Sequence, residues 1–220
     1  MEIKISSEIK EKVPCTRLAV LKYTSDVKET SAELWKYMEE KTIPETLKAL
    51  ESINVTEFKN VASSRTAYKA FGKDPGRYRV SSEALIRRIK QGKDLYHINT
   101  VVDTNNLISV ESGFSAGSYD CDCVKGDIVL NIGKSGDSYK GIGKDSVNIE
   151  NLPVLCDNEG PFGSPTSDSE KAMIGLDSKN IITLIYSFSQ DEDLGSLLDR
   201  AETYLKKYAS AENIEKFIVE

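Results

Sequence analysis

"VVDTNNLISVESGFSAGSYD" occupies residues Val101 to Asp120. Two carboxylates, Asp103 and Asp120, and an asparagine pair, Asn105 and Asn106, bracket a run of small residues. The β-branched residues predict a strand within "INTVVDTNNLISV" (98–110), followed by a glycine-rich corner. Such a stretch fits a catalytic pocket, a binding pocket or a well-made turn in a core. The residues on either side narrow the choice.

Downstream, "GDIVLNI", "VLCDNEG" and "NIITLIYSFS" read as strands between turn residues. "GKSGDSYKGIGKDS" (133–146) reads as a hairpin with its loop. It is no phosphate loop. Gly143-Lys144 is followed by Asp145 and has Ser138 where the first glycine belongs, and Gly133-Lys134-Ser135 has Ile128 there. Ser196 begins a closing amphipathic helix, "SLLDRAETYLKKYA", with Leu197, Leu198, Ala201 and Leu205 on one side.

Upstream, "MEIKIS" and "TRLAVLKY" (16–23) read as strands. Ser31 is placed to cap a helix carrying Leu34, Trp35 and Met38, and Pro44 opens "IPETLKALESI" as a first-turn proline. "VTEFKNVASSRTAYKAFG" ends at Gly72, a helix stop. After the Asp-Pro-Gly turn, Ser81 or Ser82 caps "SEALIRRIKQG". Helices first, strands second and one helix to close is a segregated order, which predicts an α+β fold. With no long linker and no repeat, residues 1–220 read as a single domain.

The chain has 220 residues, 39% apolar and 29% charged, enough to bury a core. Its net charge of −6 argues against a nucleic-acid binder taken whole. The charge is uneven, however. Arg65 to Lys93 holds nine basic residues against Asp74 and Glu83, a local +7 on a remainder of −13. Such a face suits a phosphate backbone; a solvated pair of helix faces is the alternative.

Four cysteines are too few for a disulfide scaffold, and Cys121-Asp-Cys123 is not the C-x-x-C of a zinc knuckle. These two are expected on one strand face. With His97 as the single histidine, neither a metal site nor a Ser/His/Asp triad is supported. No metal or cofactor is expected. No apolar run reaches a membrane span, and "MEIKISSEIKEK" lacks the apolar stretch of a signal peptide, so a cytoplasmic protein with no membrane partner is expected.

The ordered set Val102-Asp103-Thr104-Asn105-Asn106-Leu107, Gly113, Ser115-Ala116-Gly117-Ser118-Tyr119-Asp120, Gly126 and Ile128 resembles the B3/B4 domain of the bacterial phenylalanyl-tRNA synthetase β chain. That family runs approximately V-D-x-T-N-Y, a glycine, P-L-H-A-F-D, then a glycine and an I-x-V strand. Its later G-G-x-x-S-E loop is similar to Gly163-Ser164-Pro165-Thr166-Ser167-Asp168. The resemblance covers residues 60–190. It leaves 1–60 as an N-terminal strand and helix extension and 191–220 as a C-terminal helix. It implies a layered β-sandwich flanked by helices. Lacking room for a class II catalytic core, the chain is expected not to be a synthetase but to resemble stand-alone B3/B4 proteins.

In the synthetase this domain is an editing site that hydrolyses tyrosine from the phenylalanine tRNA. The resemblance therefore implies a tRNA or aminoacyl-tRNA partner. It implies an aminoacyl-tRNA deacylase acting in trans, or a binding module for RNA or an amino acid that kept the pocket without the reaction. A protein-interaction domain without an RNA role is the third reading. Carried over by position, Asn105 and Asn106 become the catalytic candidates, and Asp168, Gly117, Gly163, Ser115 and Ala116 the substrate-binding ones. Arg77, Arg79, Arg87 and Arg88 become the RNA-binding candidates. The chain departs from the family at Asn105, an amide for a hydroxyl; at Gly117, where the family has histidine; at Tyr119, a mild change from phenylalanine; and at Asp168, shorter by one methylene. Asp103 and Asp120 match, as structural or functional carboxylates.

Overall fold

A computed structural model of the chain describes residues 1–190 and 192–220. Two four-stranded sheets lie face to face, and helices cover the outer face of one of them. The first sheet has the order β10-β2-β9-β3, from Glu212–Val219, Arg17–Thr24, Asn180–Ser187 and Ser115–Asp120, with every pair antiparallel. The second has the order β1-β4-β7-β8, from Ile3–Ile5, Ile128–Ile132, Pro153–Asp157 and Gly160–Gly163; β1 and β4 are parallel. A separate hairpin joins β5 (Ser138–Gly141) to β6 (Lys144–Asn148).

The alternation within "RLAVLKYT" builds the layers. Leu18 and Val20 of β2 point between the sheets, where they meet Leu184 and Tyr186 of β9 and Ile128, Leu130, Leu155 and Phe162 of the second sheet. Ala19, Leu21 and Tyr23 point the other way, against α6 (Thr100–Ser112) and α7 (Leu194–Tyr208). Leu197, Leu198, Ala201 and Leu205 are the buried stripe of α7. A further helical cluster joins α2 (Ala32–Tyr37) and α5 (Ser81–Lys90) to α6 and α7. The architecture is α+β, a sandwich with helices on one face.

The helix-rich N-terminal part forms where its sequence predicts helices, after an additional short helix, α1 (Ser7–Lys12), but the expected serine caps do not: Ser31 makes no side-chain cap, and Ser81 and Ser82 already lie inside α5, which follows Val80. Ser31 precedes α2, and a π-helical turn at Met38–Thr42 leads into α3 (Ile43–Ala49), where Pro44 lies in the first turn. α4 (Lys59–Phe71) ends at Gly72, whose φ of 92° places it in the left-handed region that glycine tolerates.

Three expectations are corrected. Residues 100–112 are a helix, α6, not a strand. Asn99 caps it, accepting from Val101 N at 3.1 Å and Val102 N at 2.9 Å. Asp103, buried in its first turn, accepts from Thr30 Oγ1 and from Ile98 N at 3.1 Å. Cys121 and Cys123 lie on a 3₁₀ turn rather than a strand. The chain closes on a strand, not a helix: α7 stops at Tyr208, and β10 then pairs with β2. Asp191, at the head of the expected helical segment, lies outside the described residues.

Candidate functional site

β3 is the edge strand of its sheet, and a cavity of about 230 Å³ lies between it, α6 and the loop after β8. Asn105 and Asn106 line it from α6, Ala116, Gly117 and Ser118 from β3, and Ser164, Thr166, Ser167 and Asp168 from the loop. Ile98, Ile142 and Met173 are exposed apolar side chains in its wall. Asn105, Asn106, Ala116, Gly117 and Asp168, far apart in sequence, therefore share one cavity. Ser115 and Gly163 do not line it. Ser115 is buried, and its Oγ lies 3.2 Å from both the N and the Oγ of Ser82.

The side chain of Asn105 is almost inaccessible, at 5% exposure. Its Nδ2 donates to Ser118 Oγ at 2.7 Å, and its buried Oδ1 has no partner. Ser118 Oγ continues to Thr183 Oγ1 at 2.5 Å, and Thr183 to Tyr23 Oη at 3.0 Å. Helix α6 orients this amide because Asn99 and Asp103 fix its first turn and Gly113 ends it. Asp103 and Asp120 both hold local structure: Asp120 accepts from Asp122 N at 3.0 Å and Ser178 Oγ at 2.6 Å.

Asp168 sits at the floor. Its Oδ1 accepts from Tyr119 Oη at 2.8 Å and from Ser164 N at 3.0 Å. Oδ2 accepts nothing among the described residues, and no cation pairs with the carboxylate. Burial pushes the Asp168 carboxyl up to about 6, although the two hydrogen bonds pull the other way. The loop is held by phenols from three elements, and a fourth phenol backs one of them. Tyr119 of β3 also meets Tyr186 Oη of β9 at 3.0 Å. Tyr68 of α4 reaches Thr166 Oγ1 at 2.8 Å, and Tyr139 of β5 donates to Ser164 Oγ at 3.2 Å and to Ser167 O. Burial raises all four phenols, so they stay neutral donors.

Tyr119 accounts for two of the glycines. A Cβ at Gly117 would lie 2.5 Å from its Oη, and one at Gly163 would lie 2.4 Å from the same atom. The ring thus occupies the space that side chains at both positions would need, and a histidine at 117 is incompatible with it. Sequence reasoning alone gives Tyr119 no role in the site. A signal for it is present all the same: residues 117 and 119 share one face of a strand, so a glycine there leaves room for the neighbouring ring.

A basic groove opens beside the cavity. Arg79, Arg87, Arg88, Lys93 and Tyr96 line it, and it shares Ser81, Asn106 and Thr166 with the cavity. Arg87 and Arg79 are only partly available. Buried Glu83 accepts from Arg87 Nε at 2.8 Å and Arg65 Nη1 at 2.9 Å, with Arg79 Nε 4.0 Å away. Arg88 lies over the exposed Tyr96 ring, 4.2 Å from its centroid. Arg77 sits beside Tyr78 and does not line the groove. The isolated His97 stacks on Trp35 at 3.7 Å, away from the cavity. Among the described residues no group of His, Cys, Asp and Glu could hold a metal, and the four cysteines are free. Among the described residues no helix is long and apolar enough to cross a membrane.

No curated protein sequence matches the chain. Among solved structures, the chain is similar to an N-terminal fragment of the phenylalanyl-tRNA synthetase β-subunit from Pyrococcus horikoshii, at 12% identity and a TM-score of 0.46. The match covers 99% of this chain and 50% of that one, so the chain spans half the length of that fragment. The profile of the B3/4 domain matches residues 63–210, most of the sequence. The chain belongs to the B3/4 domain family.

Proposed function

We propose that this protein binds the acceptor end of an aminoacyl-tRNA, with the nucleic-acid backbone in the basic groove and the aminoacyl group in the cavity, and hydrolyses the ester. The observation that carries the reading is the continuity of the two spaces through Ser81, Asn106 and Thr166. A ligand with a polyanionic chain on one side and a small acyl group on the other fits both at once. The side-chain amide of Asn106 has no hydrogen-bond partner among the described residues and stands where the two spaces meet.

In this reading Asn106 holds the ester beside the attacking water, and Asn105 braces the cavity wall through its hydrogen bond to Ser118 Oγ. Asp168 receives a donor group of the amino acid. Water adds to the ester carbonyl, the bond to the ribose oxygen breaks, and the leaving oxygen takes the proton released by the water. Positioning of this kind lowers a barrier without a nucleophilic side chain.

A binding module without chemistry is the second reading. It is favoured by the absence of histidine, cysteine and lysine from the cavity lining among the described residues. One experiment separates the two. The protein is mixed with a panel of correctly and incorrectly charged tRNAs, and deacylation is followed with Asp168→Ala as the control. Turnover of one species, lowered by the substitution, supports the hydrolase. Binding without turnover above background supports the module. Absence of both binding and turnover refutes the RNA reading.

A further inference from the structure

A second cavity, of about 360 Å³, lies where the π-helical turn and α3 meet α6 and α7. That size suits a small organic molecule. It shares no lining residue with the cavity beside β3 or with the basic groove. The π turn at Met38–Thr42 comes just before Pro44, which has no N–H to continue an α-helical ladder, and Lys41 and Thr42 of that turn enter the wall. Four charged side chains line the space: Lys41, Arg200, Glu45 and Glu111. Their charges sum to zero, yet among the described residues none of them forms an ion pair with another or with a neighbour. Charged residues on the same helical segments do pair: Lys36 lies 4.0 Å from Glu40, Lys206 2.5 Å from Glu202 and Lys207 2.9 Å from Glu33.

Two of the four are placed to act together. Glu111 is half-buried, and neutral donors fix its carboxylate: Thr42 Oγ1 donates to Oε1 at 2.9 Å and Tyr204 Oη to Oε2 at 2.7 Å. Tyr37 Oη stands 3.0 Å behind Tyr204 Oη. Such donors orient the carboxylate without cancelling its charge. Arg200 is one turn before Tyr204 on α7, on the same side of that helix, and its guanidinium has no hydrogen bond or ring contact among the described residues. Lys41, by contrast, lies over the Tyr37 ring, 5.2 Å from its centroid. A guanidinium and a fixed carboxylate that face one space without touching leave room for a molecule carrying both opposite charges. From this arrangement we infer that the cavity binds a small amino-carboxylate zwitterion, a free amino acid, with its carboxylate on Arg200, its ammonium on Glu111 and its side chain against Phe58 and Val110. A guanidinium takes a carboxylate by two parallel hydrogen bonds, and a carboxylate takes an ammonium by a charge-assisted one. A molecule with only one of the two charges matches half of the site. This site stands apart from the proposed function and does not depend on it.

Three probes test this on the intact protein: leucine, 3-methylbutylamine, which lacks the carboxylate, and 4-methylpentanoate, which lacks the ammonium. Binding is followed by chemical-shift titration of the backbone amides of residues 41–46, 110–111 and 200–204. The expected result is saturable binding of leucine, with the amine and the acid each weaker by about tenfold or more, the scale of one charge-assisted hydrogen bond. Arg200→Gln changes an exposed residue and leaves the fold intact. It should bring leucine down to the level of the amine and leave binding of the amine unchanged. Glu111→Gln should bring leucine down to the level of the acid. No binding of leucine, shifts confined to residues 105–106 and 164–168, or equal binding of leucine and either single-charge probe by the native protein overturns the inference. So does an Arg200→Gln protein that binds leucine as the native protein does.

Discussion

Tyr119 Oη donates to Asp168 Oδ1 across 2.8 Å, joining an edge strand to the loop that floors the cavity. A donor on a carboxylate favours its charged form. Tyr119→Phe should therefore raise the Asp168 carboxyl above its value of about 6 in the native protein. Titration of the Asp168 side-chain carbon by NMR checks the direction. An unchanged midpoint would mean that the phenol only fills space.

The same carboxylate sets a pH dependence of stability. Its folded value of about 6 lies above the ordinary 3.8, so the folded state binds the proton more tightly than the unfolded one. This group therefore destabilises the fold above about pH 6, and the penalty is relieved as pH falls from about 6 towards 4. Urea midpoints compared across that window should show the native protein gaining on Asp168→Asn as pH falls. A constant difference between the two would contradict the assignment.

Gly163→Ala places a Cβ 2.4 Å from Tyr119 Oη and 2.6 Å from its Cζ, so the ring must move. Overpacking of this kind costs about 1–3 kcal/mol. Chemical denaturation should report that loss, and the hydrogen bond between Tyr119 and Asp168 should break with it.

Glu83 is fully buried and draws together Arg65 and Arg87, both partly exposed. Glu83→Gln leaves two guanidinium groups facing a neutral amide. The exposure of the arginines softens the loss, so a cost of about 1–3 kcal/mol is expected in a denaturant titration.

Arg88 and Lys93 line the groove, and neither takes part in the Glu83 network. If the groove carries a nucleic-acid backbone, Arg88→Glu with Lys93→Glu should weaken tRNA binding. The slope of log affinity against log salt should fall by about one for each phosphate that the protein no longer neutralises. Binding and slope both unchanged would assign these charges to solvent alone.

Much of this is legible in the order of residues. "RLAVLKYT" alternates, and the two sets of side chains enter two different cores. Gly72 stops a helix where a glycine should. The family pattern draws Asn105, Asn106, Gly117 and Asp168 together although they come from a helix, a strand and a loop. Sequence reasoning fails at α6 because Thr100, Val101, Val102 and Thr104 favour strands locally, and because this helix is buried around most of its circumference. A helix buried on several sides shows no polar stripe, so its period is hidden. β10 escapes it for the opposite reason. Much of "ENIEKFIV" is exposed at a sheet edge, and its charged residues mask the strand.

The sheet order has a consequence for how the chain is made. Ala19 of β2 has Ile185 on one side and Ile218 on the other. At about 5–20 residues per second, a ribosome takes on the order of ten to forty seconds to supply those partners. During that interval β2, apolar on both faces, has neither neighbour and is open to pairing with other chains. Newly made protein should therefore depend on chaperones far more than the finished fold does, and truncation before β10 should yield aggregates rather than a smaller soluble domain.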